Sequence, residues 1–159
     1  MAHLVYLSLG SNMGDREEYL RQAVARLKSI TGLNVIAESS IIETEPWGMT
    51  DQPAFLNMAV AMRTSFAPFV VLQIMQKMEE LAGREHLEKW GPRTLDIDIL
   101  TYDDIELNFP QLTLPHPHLT ERLFVLQPLA EIAPELVVKG KTVREWLELV
   151  RLGEEADSK

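Results

Sequence analysis

The elements expected along the chain run strand, helix, strand, strand, helix, strand, which predicts an α+β protein with a ferredoxin-like βαββαβ core. In this fold two helices cover one antiparallel sheet. Two observations lead to it: apolar residues alternate with a period of two in some segments, and they recur at helical spacing in two others. Further short elements follow the core, so C-terminal strand and helix additions are expected.

The first strand and helix are marked by composition and by a capping pattern. Leu4 to Leu9 is mostly apolar on both faces, which is typical of a central strand. The segment Gly10 to Gly14 is interpreted as a turn. Asp15, with Glu18 three residues later, can begin a helix with a capping box. The apolar residues of that helix form one stripe, namely Leu20, Ala23, Val24, Leu27 and Ile30.

Three more strands and a second helix complete the core. The strands are expected at Val35 to Ile42, Phe55 to Thr64 and Leu95 to Tyr102. Pro68 begins the second helix and Gly83 ends it. The residues expected to point inward are Leu72, Met75, Met78 and either Leu81 or Ala82.

Smaller elements are expected after the core. They are a short strand near Leu112 to Leu114, a helix near Phe124 to Ala133, and a last helix whose capping box begins at Thr142. About residues 153–159 are expected to form a frayed acidic tail. The sequence has 159 residues without a visible linker or repeat, so a single domain over residues 1–159 is expected.

Composition narrows the functional classes. Hydrophobic residues make up 46% of the chain and charged residues 25%, as in soluble globular proteins, while the net charge is −9. Such an acidic chain is not expected to bind nucleic acid or membranes, and nothing implies an oligomer, so a monomer is expected. Because there is no cysteine, disulfides and thiolate metal sites are excluded. No signal peptide or membrane span is visible, so the expected location is cytoplasmic.

The most informative feature is the pair of aspartates in Leu95-Asp96-Ile97-Asp98-Ile99. Because alternate strand residues point the same way, both carboxylates leave one face, roughly 7 Å apart. Such a pair suits divalent magnesium, which takes a few carboxylate oxygens and leaves its other positions to water and phosphate. The alternative is an edge strand that shows its polar face to water.

Basic and histidine residues flank this strand in the sequence. Arg84, Lys89 and Arg93 could donate to phosphate oxygens, unless they form only a solvated basic loop. His116 lies between two prolines, and this stiff setting suits a hydrogen bond to a ligand. With His118 and a nearby carboxylate it could instead bind zinc, and a surface histidine is the third alternative.

Aromatic residues suggest where a flat ligand would lie. Phe55 and Asn57 share a face of the third strand, and an aromatic wall beside a carboxamide suits a heteroaromatic ring with amide-like edges. An apolar core with one satisfied Asn would give the same pattern. Trp47 and Trp90 fall in two polar stretches, where they are expected to act as covers over a site.

The run Trp-Gly-Pro-Arg-Thr-Leu-Asp-Ile-Asp-Ile, residues 90–99, resembles the signature of the 6-hydroxymethyl-7,8-dihydropterin pyrophosphokinase family. Further matches follow in the family's order at Gly10-Ser11-Asn12, Asp51-Gln52-Pro53, Phe55-Leu56-Asn57, Leu114-Pro115-His116-Pro117, and Glu121-Arg122 with Phe124. They cover nearly the whole chain, from about His3 to about Leu152. The resemblance implies an enzyme of folate biosynthesis that transfers diphosphate from ATP to the pterin's hydroxymethyl oxygen and releases AMP.

The family resemblance also implies roles for individual residues. Asp96 and Asp98 would hold two magnesium ions, and Arg84 and Arg93 would belong to the catalytic assembly. The residues implied to contact the pterin are Thr44, Pro46, Phe55, Asn57, Glu79, Trp90 and Phe124. The residues implied to contact ATP are Leu72, Gln76, Arg84, Lys89, Ile99, Thr113, His116 and Arg122.

At a few positions the chain departs from the family pattern. Lys89 stands in for an arginine before the tryptophan, and Glu85 or His86 takes the place of a second loop arginine. His118 replaces an arginine often found after the Pro-His-Pro run. Two other functions stay open on the residues alone: a zinc-dependent hydrolase using His116 and His118, and a non-catalytic ligand-binding module on the same scaffold.

Overall fold

An antiparallel sheet with helices on both faces forms the framework of the protein. The computed structural model describes residues 2–44, 54–83 and 95–157, with side chains as far as residue 153. The strands are β1 (His3–Ser11), β2 (Leu33–Glu38), β3 (Ile42–Thr44), β4 (Phe55–Thr64), β5 (Asp96–Tyr102), β6 (Leu107–Asn108), β7 (Thr113–Leu114), β8 (Val137–Val138) and β9 (Lys141–Thr142). The helices are α1 (Arg16–Ser29), α2 (Pro68–Leu81), α3 (Leu123–Ile132) and α4 (Val143–Asp157).

The strand order confirms the predicted fold class. The long strands lie in the order β2-β4-β1-β5 with antiparallel neighbours, and the short β3 pairs with the start of β4. This is the order of a ferredoxin-like sheet. β1 lies between β4 and β5, and its central position agrees with the apolar character of both its faces.

Two apolar layers hold the helices to the sheet. α1 and α2 pack on one face, and α3 and α4 pack on the other. In α1 the predicted stripe is confirmed, because Leu20, Ala23, Val24 and Leu27 are buried. The second layer contains Ala59, Leu100, Leu126, Leu129 and Leu147. Among the described residues, the sheet therefore contributes Ala59 and Leu100 to the apolar layer under α3 and α4.

In α2 the buried stripe differs from the predicted one. Val71, Met75 and Met78 are buried, whereas Leu72 is only partly buried. Of the two alternatives for the last turn, Ala82 packs against the core and Leu81 is 55% exposed. The spacing of four, three and four residues from Val71 to Ala82 keeps one helical face, and that face excludes Leu81.

The predicted strand from Val35 to Ile42 is in fact two strands, β2 and β3. Ser39 interrupts them, because its hydroxyl accepts the Ala59 N–H at 2.8 Å while its own N–H donates to the Ala59 carbonyl. Ser40 then turns away from the sheet, and both its N–H and its hydroxyl donate to the carboxylate of Glu131 in α3. Side-chain hydrogen bonds of serine compete with the ladder in this way.

The helix ends follow the predicted caps, except at the C-terminus. Asp15 accepts the Glu18 N–H, and Thr142 and Glu145 form a reciprocal capping box. α4 continues to Asp157, so the expected frayed tail is wrong for residues 153–157. Glu and Ala favour helices, which explains the extension. Within the described ranges, no helix is long and apolar enough to cross a membrane.

Asp103 ties the end of β5 to the start of β1. Its Oδ1 accepts the Leu4 N–H at 2.8 Å, and its Oδ2 lies 2.6 Å from Nδ1 of His3. Its φ of +50° is in the left-handed region that Asp and Asn tolerate. Burial would raise the pKa of Asp103, but the Leu4 N–H and His3 outweigh it and hold the pKa below its usual range.

We predict that Asp103→Asn lowers the free energy of unfolding at pH 7 by about 0.5–1 kcal/mol, a range reduced because the site is partly exposed. Asn keeps the backbone conformation and removes the charge. A carboxylate with a lowered folded pKa stabilises the protein above its unfolded pKa, and this contribution is lost as pH falls through the folded value. Urea titrations from pH 7 to pH 2 should show the difference shrinking below about pH 4. A difference independent of pH would contradict the assignment, and Asp104→Asn, one residue further on, is the control.

Candidate active site

The register of the three central strands brings the polar residues together. Gly10 of β1 lies opposite both Asn57 of β4 and Asp96 of β5, and Ser8 lies opposite Asp98. Directly opposed residues of antiparallel strands share a face. Asn57, Asp96 and Asp98 therefore lie on one face of the sheet, the face on which α3 and α4 pack.

Gly10 provides space at the centre of this face. A Cβ atom at this position would lie 2.9 Å from Oδ1 of Asn57 and 3.6 Å from the ring of Phe55. The sequence interpretation of Gly10 as a turn residue is wrong, because β1 continues to Ser11. The turn interpretation missed the close approach of Asn57 to Gly10, although Gly10-Ser11-Asn12 is one of the matches to the family pattern. A glycine directly after an apolar run was a further signal.

Asn57 is buried and held in a fixed orientation. It is only 4% exposed, and its Nδ2 donates to the Thr44 hydroxyl at 2.9 Å. Thr44 lies opposite Phe55 in the β3–β4 pair, so Thr44, Phe55 and Asn57 form one corner of the face. The predicted association of Phe55 with Asn57 is therefore realised, with Thr44 as the anchor of the carboxamide.

The two aspartates lie on the edge strand β5, which is supported by α2 from the opposite face of the sheet. Asp96 and Asp98 are both partly exposed, while Ile97 between them points into the α1–α2 core. Glu79 of α2 is 6% exposed, and its Oε2 accepts the Ile97 N–H at 2.9 Å. Glu79 therefore fixes the backbone between the carboxylates.

His116 lies beside Asp98. Its backbone N–H donates to the Leu100 carbonyl at 2.8 Å, and Nε2 of its ring is 3.8 Å from Oδ1 of Asp98. Nδ1 accepts the His118 N–H at 3.2 Å, so a neutral ring carries its proton on Nε2, the nitrogen nearer Asp98. Burial, followed by the charges of Arg122, His118 and Lys139, lowers the pKa of His116 to about 4, so the ring is neutral at pH 7.

Arg122 and Phe124 are placed at the start of α3. The Arg122 guanidinium lies 5.6 Å from the centre of the Phe124 ring. Phe124 is partly buried against the α3–α4 layer, on the same side of the sheet as Phe55 and Asn57. The start of α3 thus adds a cation and a second aromatic ring to this side.

The predicted adenosine residues form a separate group. Leu72 of α2 and Ile99 of β5 belong to the α1–α2 layer, on the face opposite the aspartates. Gln76 is exposed on α2. In β7 the Thr113 hydroxyl donates to the Phe109 carbonyl at 3.3 Å. α2 and β7 both contact β5, so these residues belong to β5 and its neighbouring elements.

Some predicted site residues fall outside the described ranges: Pro46, Trp47, Arg84, Lys89, Trp90 and Arg93. The zinc alternative depended on His116 and His118. The His118 ring lies 2.6 Å from Glu121, and the described residues contain no group of three potential metal ligands. The described part of the chain therefore offers no support for a zinc site.

The fold and this face define a class: a ferredoxin-like protein with paired carboxylates beside a buried carboxamide corner. The particular family follows from comparison. The family model for 7,8-dihydro-6-hydroxymethylpterin-pyrophosphokinase matches residues 6–134, and the chain belongs to this family.

Individual relatives agree with the family assignment. The chain is 48% identical over 142 residues to the 2-amino-4-hydroxy-6-hydroxymethyldihydropteridine pyrophosphokinase of Methylorubrum extorquens, covering 89% of this chain and 90% of the relative. It is 47% identical over 152 residues to the enzyme of the same name from Bacillus subtilis, covering 96% and 91%.

A solved structure shares the fold. The crystal structure of wild-type Plasmodium falciparum HPPK-DHPS with pteroate has a TM-score of 0.75 and 16% identity. The alignment covers 99% of this chain and 44% of that one, so the present chain spans less than half of the Plasmodium chain.

We predict that Gly10→Ala lowers the free energy of unfolding by about 1–3 kcal/mol, because the added methyl group must displace the buried Asn57 side chain. Gly153→Ala is the matched control, since Gly153 lies in α4 with no atom within 4 Å of an added Cβ. Alanine in a helix should leave stability unchanged or raise it by about 0.5–1 kcal/mol. Urea denaturation of both variants measures this, and equal stability of the two would show that Gly10 is not required for space.

Proposed function

We propose that the face carrying Asn57, Asp96 and Asp98 transfers diphosphate from ATP to the hydroxymethyl group of 6-hydroxymethyl-7,8-dihydropterin, releasing AMP, as a step of folate biosynthesis. One observation carries the proposal, namely the pairing of β1 with its two neighbours. The Asn57 carboxamide lies on the β4 side of Gly10, and the carboxylates of Asp96 and Asp98 lie on the β5 side. A pterin bound at the carboxamide would have its substituent near the carboxylates. Family membership supports the type of reaction.

The pterin is proposed to lie between Phe55 and Phe124, and Asn57, with backbone groups around Thr44 and Pro46, is proposed to bind its edge. Two aromatic rings on one side of the sheet suit the two faces of a flat heterocycle. Because Thr44 holds the Asn57 carboxamide, its polar atoms are already oriented for the edge of the ring. Trp90 is proposed to cover the bound ring. Glu79 is proposed to act near the hydroxymethyl group indirectly, because it holds the backbone of the strand that carries Asp96 and Asp98.

Asp96 and Asp98 fit two magnesium ions. They offer carboxylate oxygens on one face, they are partly exposed, and the residues opposite them in β1, Gly10 and Ser8, have small side chains. When bound there, the cations would offset the negative charge of the triphosphate. Glu79 keeps the backbone between the two ligands in place.

ATP is proposed to lie along the outer edge of β5. Leu72, Ile99 and Thr113 would line the adenosine pocket, with Gln76 beside it. His116 would contact the phosphates as a neutral donor through Nε2, and Arg122 would supply positive charge. Arg84, Lys89 and Arg93 are proposed as further phosphate ligands, and Arg84 and Arg93 as part of the catalytic assembly.

The chemistry proposed is in-line attack of the hydroxymethyl oxygen on the β-phosphorus of ATP, with AMP as the leaving group. The described residues contribute by positioning the two substrates and by stabilising charge, which is the usual basis of phosphoryl transfer. No described residue is required as a strong general base. We further propose that the chain acts as a single-domain monomer in the cytoplasm and needs neither nucleic acid nor membrane.

We predict that Asp96→Asn and Asp98→Asn each reduce AMP formation by at least about a thousandfold, because loss of metal-based charge stabilisation costs several kcal/mol. Both variants should fold, since both side chains are partly exposed. Assays with ATP, magnesium and the reduced pterin measure the rate, and magnesium titration calorimetry with an ATP analogue measures cation binding. Asp104→Asn, just beyond the same strand, should keep the wild-type rate. Near-normal turnover in either site variant would disprove the metal assignment.

A further inference from the structure

One guanidinium group joins both strands that form the Asn57 corner. Arg16 is the first residue of α1, and its Nη1 donates to the Ala54 carbonyl at 2.6 Å. Its Nη2 forms an ion pair with Glu43 at 3.1 Å. Glu43 belongs to β3 and Ala54 precedes β4, so Arg16 bridges the two chain segments where they meet.

Both contacts lie one residue from the proposed pterin ligands. Glu43 precedes Thr44, and Ala54 precedes Phe55. Thr44 and Phe55 are opposed in the β3–β4 register, and Thr44 in turn holds Asn57. Arg16 therefore acts on the backbone that carries this corner, although nothing places its own side chain against a ligand.

Helix formation does not explain an arginine at this position. The N-terminus of a helix carries partial positive charge, so a cation in the first turn is unfavourable there. The cap is already supplied by Asp15, and the first turn contains Glu17 and Glu18. The contacts of Arg16 with Ala54 and Glu43 instead account for an arginine at this position.

From these contacts we infer that Arg16 is a positioning residue for pterin binding, an inference that rests on the proposed function. The planar guanidinium can serve two acceptors at once, which a lysine ammonium on a flexible stem does less well. Of the two contacts, the Ala54 bond is the stronger, because Glu43 is 60% exposed and an exposed ion pair contributes little.

The test compares Arg16→Ala, Arg16→Lys and Glu43→Gln with wild type. Arg21→Ala is the matched control, because Arg21 lies on the same helix and pairs only with the exposed Glu17 among the described contacts. Asn57→Ala serves as the positive control for weakened pterin binding. Fluorescence titration measures the dissociation constants of 6-hydroxymethyl-7,8-dihydropterin and, separately, of magnesium with a non-hydrolysable ATP analogue. Steady-state assays give KM and kcat.

Arg16→Ala should weaken pterin binding about tenfold, as expected for one charged hydrogen bond, while the nucleotide constant stays within about twofold. Arg16→Lys should fall between Arg16→Ala and wild type, and Glu43→Gln should change pterin affinity by less than about threefold. Arg21→Ala should match wild type. If Arg16→Ala does not fold, a selective loss of pterin affinity in Arg16→Lys supports the inference in its place.

Two results would overturn the inference. One is wild-type pterin affinity in Arg16→Ala or, if that variant does not fold, in Arg16→Lys. The other is a parallel loss of pterin and nucleotide affinity, which would mean general destabilisation rather than positioning. Failure of the wild-type protein to bind the pterin would instead refute the proposed function, so the two failures are distinguishable.

Discussion

The pairing register of β1 with both β4 and β5 is the constraint on which the rest of the site depends. It sets Gly10 between Asn57 and Asp96, and Ser8 between Ala59 and Asp98. A slip of one residue would turn the aspartates into the α1–α2 layer and the isoleucines toward solvent. The apolar residues of that layer, which include Ile97 and Ile99, make such a slip costly. The packing of one face thereby fixes the chemistry of the other.

Two contacts then cover the outer edge of β5, which would otherwise expose unpaired backbone groups. The Glu79 carboxylate accepts the Ile97 N–H from one direction, and the His116 N–H donates to the Leu100 carbonyl from another. Each tether also belongs to a residue expected near substrate. The interactions that support this strand therefore come from residues that are also proposed to act near the substrates.

Local patterns in the sequence predicted the structural features that depend on residues close together in the chain. The alternation around Asp96 and Asp98 gave the shared face, and the ends of β4 and the start of α2 matched their predicted positions. Features that depend on distant partners were missed. The Ser39 interruption needs Ala59 opposite it, the role of Gly10 needs Asn57, and the Arg16 bridge needs Glu43 and Ala54. The roles of Asp96 and Asp98 as metal ligands rest on the family resemblance and on donor chemistry.

The most direct measurement of the central claim is the identity of the products. The purified protein is incubated with ATP, magnesium and 6-hydroxymethyl-7,8-dihydropterin. The nucleotides and pterins are then separated by chromatography and identified by mass spectrometry. The account predicts AMP and a pterin diphosphate in equal amounts, and no AMP when the pterin is omitted. ADP with a pterin monophosphate, or ATP hydrolysis that does not require the pterin, would contradict it.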